Sequence, residues 1–136
     1  MISLTIPGPP VGKGRPRFAR HGNFVRTYTP AKTASYESLV KSVAWGLVVT
    51  PDFYHSSKLV RIKAFFPIPK SMKKSDKKIA ADELLPHTKK PDADNIAKII
   101  CDAMNRIVYA DDSQIYHLQV SKWYSTNPRV EINIDI

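Results

Sequence analysis

The spacing between apolar residues changes along the chain, and this change limits the folds that the sequence can adopt. Apolar residues at every second position predict strands, whereas offsets of three and four predict helices with one buried face. Alternating segments lie near residues 2–6, 60–66, 116–120 and 130–136. Helical spacing covers residues 36–47 and 96–107. The resulting order of elements is β-α-β-α-β-β.

This order predicts the α/β (α+β) fold class, in which helices pack on one face of a small mixed sheet. The chain has 136 residues, which is the length of one domain, so we expect a single domain over residues 1–136. The Asn127-Pro128 step favours a turn, and we therefore expect the last two strands to form a hairpin. A short helix is also expected near residues 75–84.

Proline and glycine residues predict where the first elements begin and end. The segment Pro7–Arg20 contains too many of both for a regular element, and it predicts a loop that carries four positive charges. Thr29 followed by Pro30 is typical of a helix start, with the threonine as N-cap. This helix is expected to stop before Pro51.

The distribution of charge indicates a polyanionic partner. Lys and Arg number 21 and Asp and Glu 12, which gives a net charge of +9. Residues 1–91 carry a balance of +12, whereas residues 92–136 carry −3. Lysine and arginine side chains that neutralise phosphates release counterions, so the basic part predicts nucleic-acid binding, with solubility alone as the alternative. The acidic part needs its own explanation, because carboxylates repel phosphates unless a cation lies between them.

Three features of the sequence predict a cytoplasmic protein. Cys101 is the only cysteine, so the chain forms no internal disulfide and no zinc site from thiolates. The residues after Met1 do not resemble a signal peptide, because a Pro/Gly segment begins at Pro7. No apolar segment approaches the ~20 residues of a membrane span. We expect neither a membrane partner nor a small-molecule substrate.

Five of the twelve acidic residues lie close together in the sequence: Asp92, Asp94, Asp102, Asp111 and Asp112. Pro91 disfavours helical backbone at the start of this group. In an extended segment, side chains two residues apart point the same way, so we expect Asp92 and Asp94 side by side, with Asp94 as the N-cap of the second long helix. This geometry suits a metal ion. The alternative is that aspartate only caps the helix and complements its dipole.

The other charged residues near this helix are Lys98, Asp102, Asp111 and Asp112. Lys98 lies one turn after Asp94, and Asp102 one turn after Lys98, which forms either a simple charge ladder or an ammonium group that orients a phosphate. Of the adjacent pair Asp111 and Asp112, only one is expected to reach a shared ion, because neighbouring strand residues face opposite ways. Carboxylates without His or Cys fit Mg²⁺ or Mn²⁺, which polarise a phosphoryl oxygen. These residues predict a metal-dependent nuclease.

The sequence resembles the RusA-type Holliday junction resolvases over nearly its whole length, with the weakest match near residues 70–86. The order and spacing of several segments carry this resemblance: Pro9–Arg17, Tyr28-Thr29-Pro30, the run His87-Thr88-Lys89-Lys90-Pro91-Asp92-Ala93-Asp94-Asn95, Lys98, Asp102-Ala103-Met104-Asn105, Tyr109 and Asp111-Asp112-Ser113-Gln114-Ile115.

The resemblance implies a homodimeric, Mg²⁺-dependent endonuclease, often prophage-encoded, that resolves four-way junction DNA by paired symmetric nicks in recombination and repair. It implies that Asp92, Asp94 and Asp112 bind the metal, Mg²⁺ or its substitute Mn²⁺, and that Lys98 is the catalytic lysine. The DNA contacts that it implies lie in the N-terminal loop and just before the acidic cluster: Lys13, Arg15, Arg17, His87, Lys89 and Lys90.

Two other functions stay open at this point. The first is a non-catalytic, basic nucleic-acid-binding module whose carboxylates only cap helices and form salt bridges. The second is a nuclease that acts on flaps, forks or RNA. Mg²⁺-dependent cutting of a synthetic junction distinguishes the first from a resolvase, and product maps on junction, flap and linear duplex distinguish the second.

Overall fold

The computed structural model of the chain describes residues 1–136, apart from the side chain of His21. Its strands are β1 (Ile2–Pro7), β2 (Arg17–His21), β3 (Phe24–Tyr28), β4 (Lys58–Pro67), β5 (Ile115–Ser125) and β6 (Arg129–Asp135). Its helices are α1 (Ala31–Trp45), α2 (Pro51–His55), α3 (Lys74–Ala81) and α4 (Ala93–Ala103), and a 3-10 turn covers Asp112–Gln114. None of these helices is both long and apolar enough to cross a membrane.

Four of the strands form one mixed sheet in the order β1-β6-β4-β5. β4 runs parallel to β5, whereas β6 is antiparallel to both β1 and β4. The mixed sheet is therefore confirmed, but the expected hairpin of the last two strands is wrong, because β4 lies between them. Alternation in a strand indicates which face is buried and does not identify the neighbouring strand.

The core lies between this sheet and the helices α1 and α4. The register aligns Leu4 of β1 and Ile62 of β4 with Ile132 of β6, and all three side chains are buried. α1 contributes Tyr36 and Val40 to the same apolar cluster. The α+β class with helices against the sheet is confirmed, because alternating strands and amphipathic helices bury their apolar faces against each other.

The N-terminal segment departs from the expected loop. β2 and β3 pair with each other in a separate two-stranded sheet that begins at Arg17, inside the segment predicted to be irregular. Every residue of β3 is exposed. The strand has no buried face, so its sequence shows no alternation of apolar and polar residues from which a strand could be predicted.

The helix starts also differ from their sequence patterns. Pro30, not Thr29, occupies the N-cap of α1, and no side chain caps this helix. Thr50 does cap a helix, since its side chain accepts a hydrogen bond of 3.2 Å from the backbone N–H of Phe53 at the start of α2. The predicted short helix near 75–84 corresponds to α3.

Candidate functional site

A cavity of about 400 Å³ between α4 and β5 collects most of the acidic residues that the sequence singles out. Its polar lining consists of Asp94, Lys98, Asp102 and Asp112. Its apolar lining consists of Ala97, Cys101, Ile115 and Leu118. We call this cavity the acidic pocket.

α4 places three of the polar groups in the acidic pocket. Asp94, Lys98 and Asp102 follow one another at intervals of four residues, which puts them on one face of a helix. The opposite face carries Ile96 and Ile100, both fully buried in the core. In the part of the chain that the structure describes, no salt bridge occupies the ammonium group of Lys98. This lysine is therefore available to an anion that enters the pocket.

The connection after α4 brings the fourth polar group, Asp112, into the acidic pocket. Tyr109 is buried and its hydroxyl donates a hydrogen bond of 2.8 Å to the carbonyl oxygen of Cys101. This bond ties the connection back to the helix and returns the chain to the amino end of β5. Asp112, in the 3-10 turn, then lines the pocket opposite α4.

The two adjacent aspartates have different roles in this turn. The Asp111 carboxylate accepts a hydrogen bond of 3.0 Å from the backbone N–H of Ser113, and the Gln114 side chain accepts one of 3.0 Å from the backbone N–H of Asp111. These bonds form a capping box, and the bond to Ser113 lowers the pKa of Asp111. Asp111 is exposed at the cap, whereas Asp112 faces the acidic pocket.

The carboxylates of Asp102 and Asp111 lie near Asp112 and affect its pKa. Burial raises the pKa of its carboxyl group, and a hydrogen bond with the Asp102 side chain and the charges of Asp111 and Asp102 raise it further. Carboxylates that crowd one another in this way are typical of a site that a cation neutralises.

Asp92 lies outside the acidic pocket, which corrects the expected geometry. Its backbone is extended, with φ −69° and ψ 155°, and it is the N-cap of α4 without a side-chain capping bond. Asp94 is therefore not the N-cap but a residue of the first helical turn. Because the chain turns into the helix between them, the two carboxylates do not lie side by side on an extended segment. α4 also ends at Ala103, so Ile107 lies beyond it.

The side chains of the acidic pocket are of the type that binds a hard divalent cation, but they are not placed closely enough together to hold one. All of its ligating groups are carboxylate oxygens, the donors that Mg²⁺ and Mn²⁺ prefer. Among the described residues, however, no three His, Cys, Asp or Glu side chains are gathered closely enough to hold one ion. The crowding of Asp102 and Asp112 fits a cation, and the carboxylate of Asp92 remains on the other side of the helix start.

A second, larger cavity of about 870 Å³ lies on that side, and we call it the basic groove. Four of the six residues expected to contact DNA line it: Lys13, Arg15, Arg17 and Lys90. They are joined there by Lys32 of α1 and by Asp92 and Asn95 at the start of α4. The structure thus brings the N-terminal loop and the residues before α4 into one cleft. The basic groove and the acidic pocket share the first turn of α4 as their dividing wall.

Glycines let the N-terminal loop dock closely against two helices. A Cβ on Gly12 would lie 2.5 Å from the Cβ of Pro91, a distance that only glycine avoids. The backbone N–H of Lys13 donates to the carbonyl oxygen of Asn95 at 3.0 Å, and that of Gly14 donates to the Thr33 hydroxyl at 3.0 Å. The loop is therefore fixed to the starts of α4 and α1.

The side chain of Lys13 makes protein contacts in place of the solvent exposure expected of a DNA-binding lysine. Its ammonium group forms an ion pair with Glu37 of α1 and lies 3.4 Å from the Asp102 carboxylate. Burial lowers the pKa of Lys13, but these two carboxylates outweigh that effect and the net pKa is raised. Lys13 therefore links the basic groove to the acidic pocket, and its charge is already compensated.

His87 is also buried, which argues against the expected phosphate contact. Its imidazole stacks on the Phe66 ring with centroids 3.7 Å apart and meets the edge of Tyr124 at 5.0 Å. Burial, followed by the charges of Lys122 and Lys89, lowers the pKa of His87 to about 4, so the ring is neutral near pH 7. Its place in a charged sequence segment gave no sign of this aromatic environment.

Sequence reasoning missed Lys122, which holds the segment before α4. Its ammonium group donates hydrogen bonds to the carbonyl oxygens of Lys89 and Pro91, at 2.7 and 2.9 Å. A signal was present, because Lys122 alternates with Val120 and Tyr124 on a strand face where an apolar residue is expected, and the register places it beside buried Ala64. The side chains of Lys89 and Lys90 are exposed.

Two comparisons with known proteins show which family the chain belongs to. A Bacillus subtilis (strain 168) protein with the curated name "Uncharacterized protein YqaN" is 40% identical over 136 residues, which cover 98% of this chain and 94% of the relative. Residues 7–135, which include both cavities, match the family model described as "Endodeoxyribonuclease RusA". On the strength of this match over almost the entire chain, the protein belongs to the RusA family of endodeoxyribonucleases.

Proposed function

We propose that the protein is an Mg²⁺-dependent, structure-selective DNA endonuclease that resolves Holliday junctions by paired symmetric nicks in recombination and repair. The observation that carries the proposal is the shared wall between the two cavities. Asp92 lines the basic groove, and two residues later Asp94 lines the acidic pocket. A DNA backbone in the groove would therefore lie directly beside a concentration of carboxylates.

The basic groove supplies the affinity for DNA. Arg15, Arg17, Lys32 and Lys90 line it without a described salt bridge, so their charges are available to phosphates. Contacts of this kind release counterions and position the backbone, and they carry no sequence information. Lys89, exposed next to Lys90, extends the positive surface, whereas Lys13 lines the groove with its charge already paired to Glu37.

Asp94 and Asp112 line the acidic pocket and Asp92 lies across the first turn of α4, so the three carboxylates would hold Mg²⁺, or its natural substitute Mn²⁺, only when a bound ion draws them together. When bound, the ion polarises the scissile phosphodiester and lowers the pKa of water. Lys98 would bind a non-bridging phosphate oxygen through its ammonium group and stabilise the charge that develops there. The acidic pocket also carries apolar side chains next to this lysine, among them Ile115 and Leu118.

A homodimer suits this function, since a four-way junction has near-twofold symmetry and two identical sites related by a twofold axis cut it in matching positions. We propose that two copies of the chain bind one junction. The cytoplasm, where chromosomal DNA is accessible in bacteria, is the proposed compartment.

The test is cleavage of a synthetic four-way junction with each strand labelled in turn. We expect Mg²⁺-dependent nicks at symmetric positions by the unchanged protein. Asp92→Asn and Asp112→Asn are expected to lower the cleavage rate by about 10³-fold or more, since loss of metal-assisted catalysis removes several kcal/mol of transition-state stabilisation. Junction binding measured without metal should be retained or stronger, because a negative charge has been removed.

Asp111→Asn is the matched control, as this carboxylate caps the 3-10 turn and does not line the acidic pocket. It should keep cleavage within a few-fold of the unchanged protein. Binding without cutting under saturating Mg²⁺ would favour a non-catalytic binding module. Equal cutting of flaps or forks and of junctions would assign a broader nuclease.

A further inference from the structure

The two-stranded sheet of β2 and β3 forms an arm, residues 17–28, that we call the arginine hairpin. Its strands pair with each other and make no extensive contact with any other described helix or strand. Phe18 is 72% exposed and Phe24 78%, and Val25 and Tyr28 are exposed as well. Large apolar side chains on an arm with no core of its own are typical of a binding surface.

The charge of the arginine hairpin indicates a polyanion as its partner. Arg17, Arg20 and Arg26 lie on it, and the sequence contains no Asp or Glu before Glu37. No described salt bridge involves any of the three arginines. The net charge of a second copy of this chain is also positive, so nucleic acid is the partner that such a surface attracts more strongly.

The register distributes arginine and aromatic side chains over both faces. Paired residues of an antiparallel ladder share a face, so Arg17 and Tyr28 lie together, with Arg26 and Phe24 farther along the same face. The other face carries Phe18, opposite Thr27, and Arg20, opposite Val25. Guanidinium groups that contact phosphates next to rings that stack on bases form the combination by which proteins bind unpaired nucleic acid.

The hairpin continues the basic groove. Arg17, the first residue of β2, lines the groove together with Asp92. A DNA strand bound in the groove would therefore contact the hairpin at the point where the DNA leaves the groove. The hairpin therefore lies where DNA beyond the candidate cleavage site would pass.

We propose that the arginine hairpin binds DNA at unstacked bases, with Phe18, Phe24 and Tyr28 stacking on the bases and the arginines contacting the flanking phosphates. The proposal rests on the proposed function and extends it: the groove holds the backbone, and the hairpin selects branched DNA over linear duplex. Every base has a face for stacking, so this recognition depends on exposed bases and not on their sequence.

The test compares binding to a four-way junction and to linear duplex of equal length, both in EDTA so that no cleavage occurs. Phe24→Ala and Phe18→Ala are each expected to weaken junction binding by about tenfold. Duplex binding should change by less than about twofold, because a duplex presents no unstacked base. Trp45→Ala removes another exposed aromatic ring, at the carboxyl end of α1, and is the matched control.

Two further measurements make the result specific. 2-Aminopurine at the branch point of the junction should change its fluorescence with the unchanged protein, and less so with Phe24→Ala. Arg26→Gln should weaken binding to both DNAs and lower the slope of log affinity against log salt by ~1, whereas Lys41→Gln on the exposed face of α1 should not.

The outcomes separate this proposal from the proposed function. If the unchanged protein binds and cuts junctions but Phe18→Ala and Phe24→Ala behave like Trp45→Ala, the hairpin proposal is wrong and the function stands. If sedimentation shows that the phenylalanine variants alter the oligomeric state, the hairpin is a contact between copies and the proposal is wrong. If junctions are bound with hairpin-dependent selectivity but never cut, the proposed function alone fails.

Discussion

The ammonium group of Lys122 on β5 donates a hydrogen bond of 2.9 Å to the carbonyl oxygen of Pro91, the residue before Asp92. A second bond, to the Lys89 carbonyl oxygen, holds the same segment at 2.7 Å. A strand of the sheet thus fixes the backbone that presents Asp92 to the basic groove.

Replacing Lys122 with methionine should therefore lower cleavage more than it lowers stability. The methionine keeps the length of the side chain but leaves two carbonyl oxygens without their donor, and misplacement of a catalytic group by about 1 Å costs up to ~10²-fold in rate. We expect a 10- to 100-fold slower single-turnover cleavage at saturating protein. Lys41→Met is the control, and equal rates for the two variants would contradict a positioning role for Lys122.

Gly12→Ala should disturb the contact between the N-terminal loop and α4. The added methyl group would lie 2.5 Å from the Cβ of Pro91, so the loop or the helix start must move. Overpacking of this kind costs about 1–3 kcal/mol in the free energy of unfolding, measurable by urea denaturation. Gly46→Ala at the end of α1, where the φ of −77° suits any L residue, should instead raise the free energy of unfolding by about 0.4–1 kcal/mol.

Lys13→Met and Arg15→Met should differ in their effect on salt dependence. Arg15 lines the basic groove without a described ion pair, so its loss should lower the slope of log affinity against log salt by ~1. Lys13 is paired with Glu37 and lies near Asp102, and its loss should leave that slope almost unchanged while destabilising the fold by about 1 kcal/mol. If Lys13→Met lowered the slope of log affinity against log salt by ~1, Lys13 would contact a DNA phosphate and this prediction would be wrong.

Stability should fall on acidification because of His87. Its pKa is about 4 in the folded protein and near 6.5 when unfolded, so the unfolded state binds the extra proton between these values. The stabilisation is complete above pH 6.5 and is lost as the pH falls towards 4. His87→Phe keeps the ring stack and should remove this part of the pH dependence in urea titrations from pH 7.5 to 4.5. His117→Phe, at an exposed position, should leave it intact.

The sequence patterns predicted the buried elements and missed those without a buried face. The spacing of the isoleucines in α4 and the alternation in β6 arise from contacts with the core, so both could be read from the chain. The described residues of the β2–β3 hairpin are mostly exposed and make no extensive contact with the core. The order of the strands in the sheet could not be predicted either. Apolar and polar residues alternate in β5 and β6 in the same way whichever strand lies next to them.

The sequence indicates which residue types form the candidate site, but it does not indicate how their side chains are arranged. The acidic residues and Lys98 follow from their spacing, and helix geometry alone places Asp94, Lys98 and Asp102 on one face. The side-chain bonds that distinguish Asp111 from Asp112 depend on a capping box with Gln114. The burial of His87 depends on Phe66, which is 21 residues away in the chain, and no local pattern contains that contact.

The pairing of β1 with β6 has a consequence for how the protein is made. Ile2 lies opposite Ile134, and the backbone N–H of Gly8, where the N-terminal loop begins, donates to the carbonyl oxygen of Pro128 at 3.2 Å. Contacts between such distant parts of a chain form late. β6 is the last strand of the sheet to be translated, so β1 has no neighbour in the sheet until β6 has been made. We therefore expect the groove for DNA, and with it nuclease activity, to become fixed only after β6 has paired with β1.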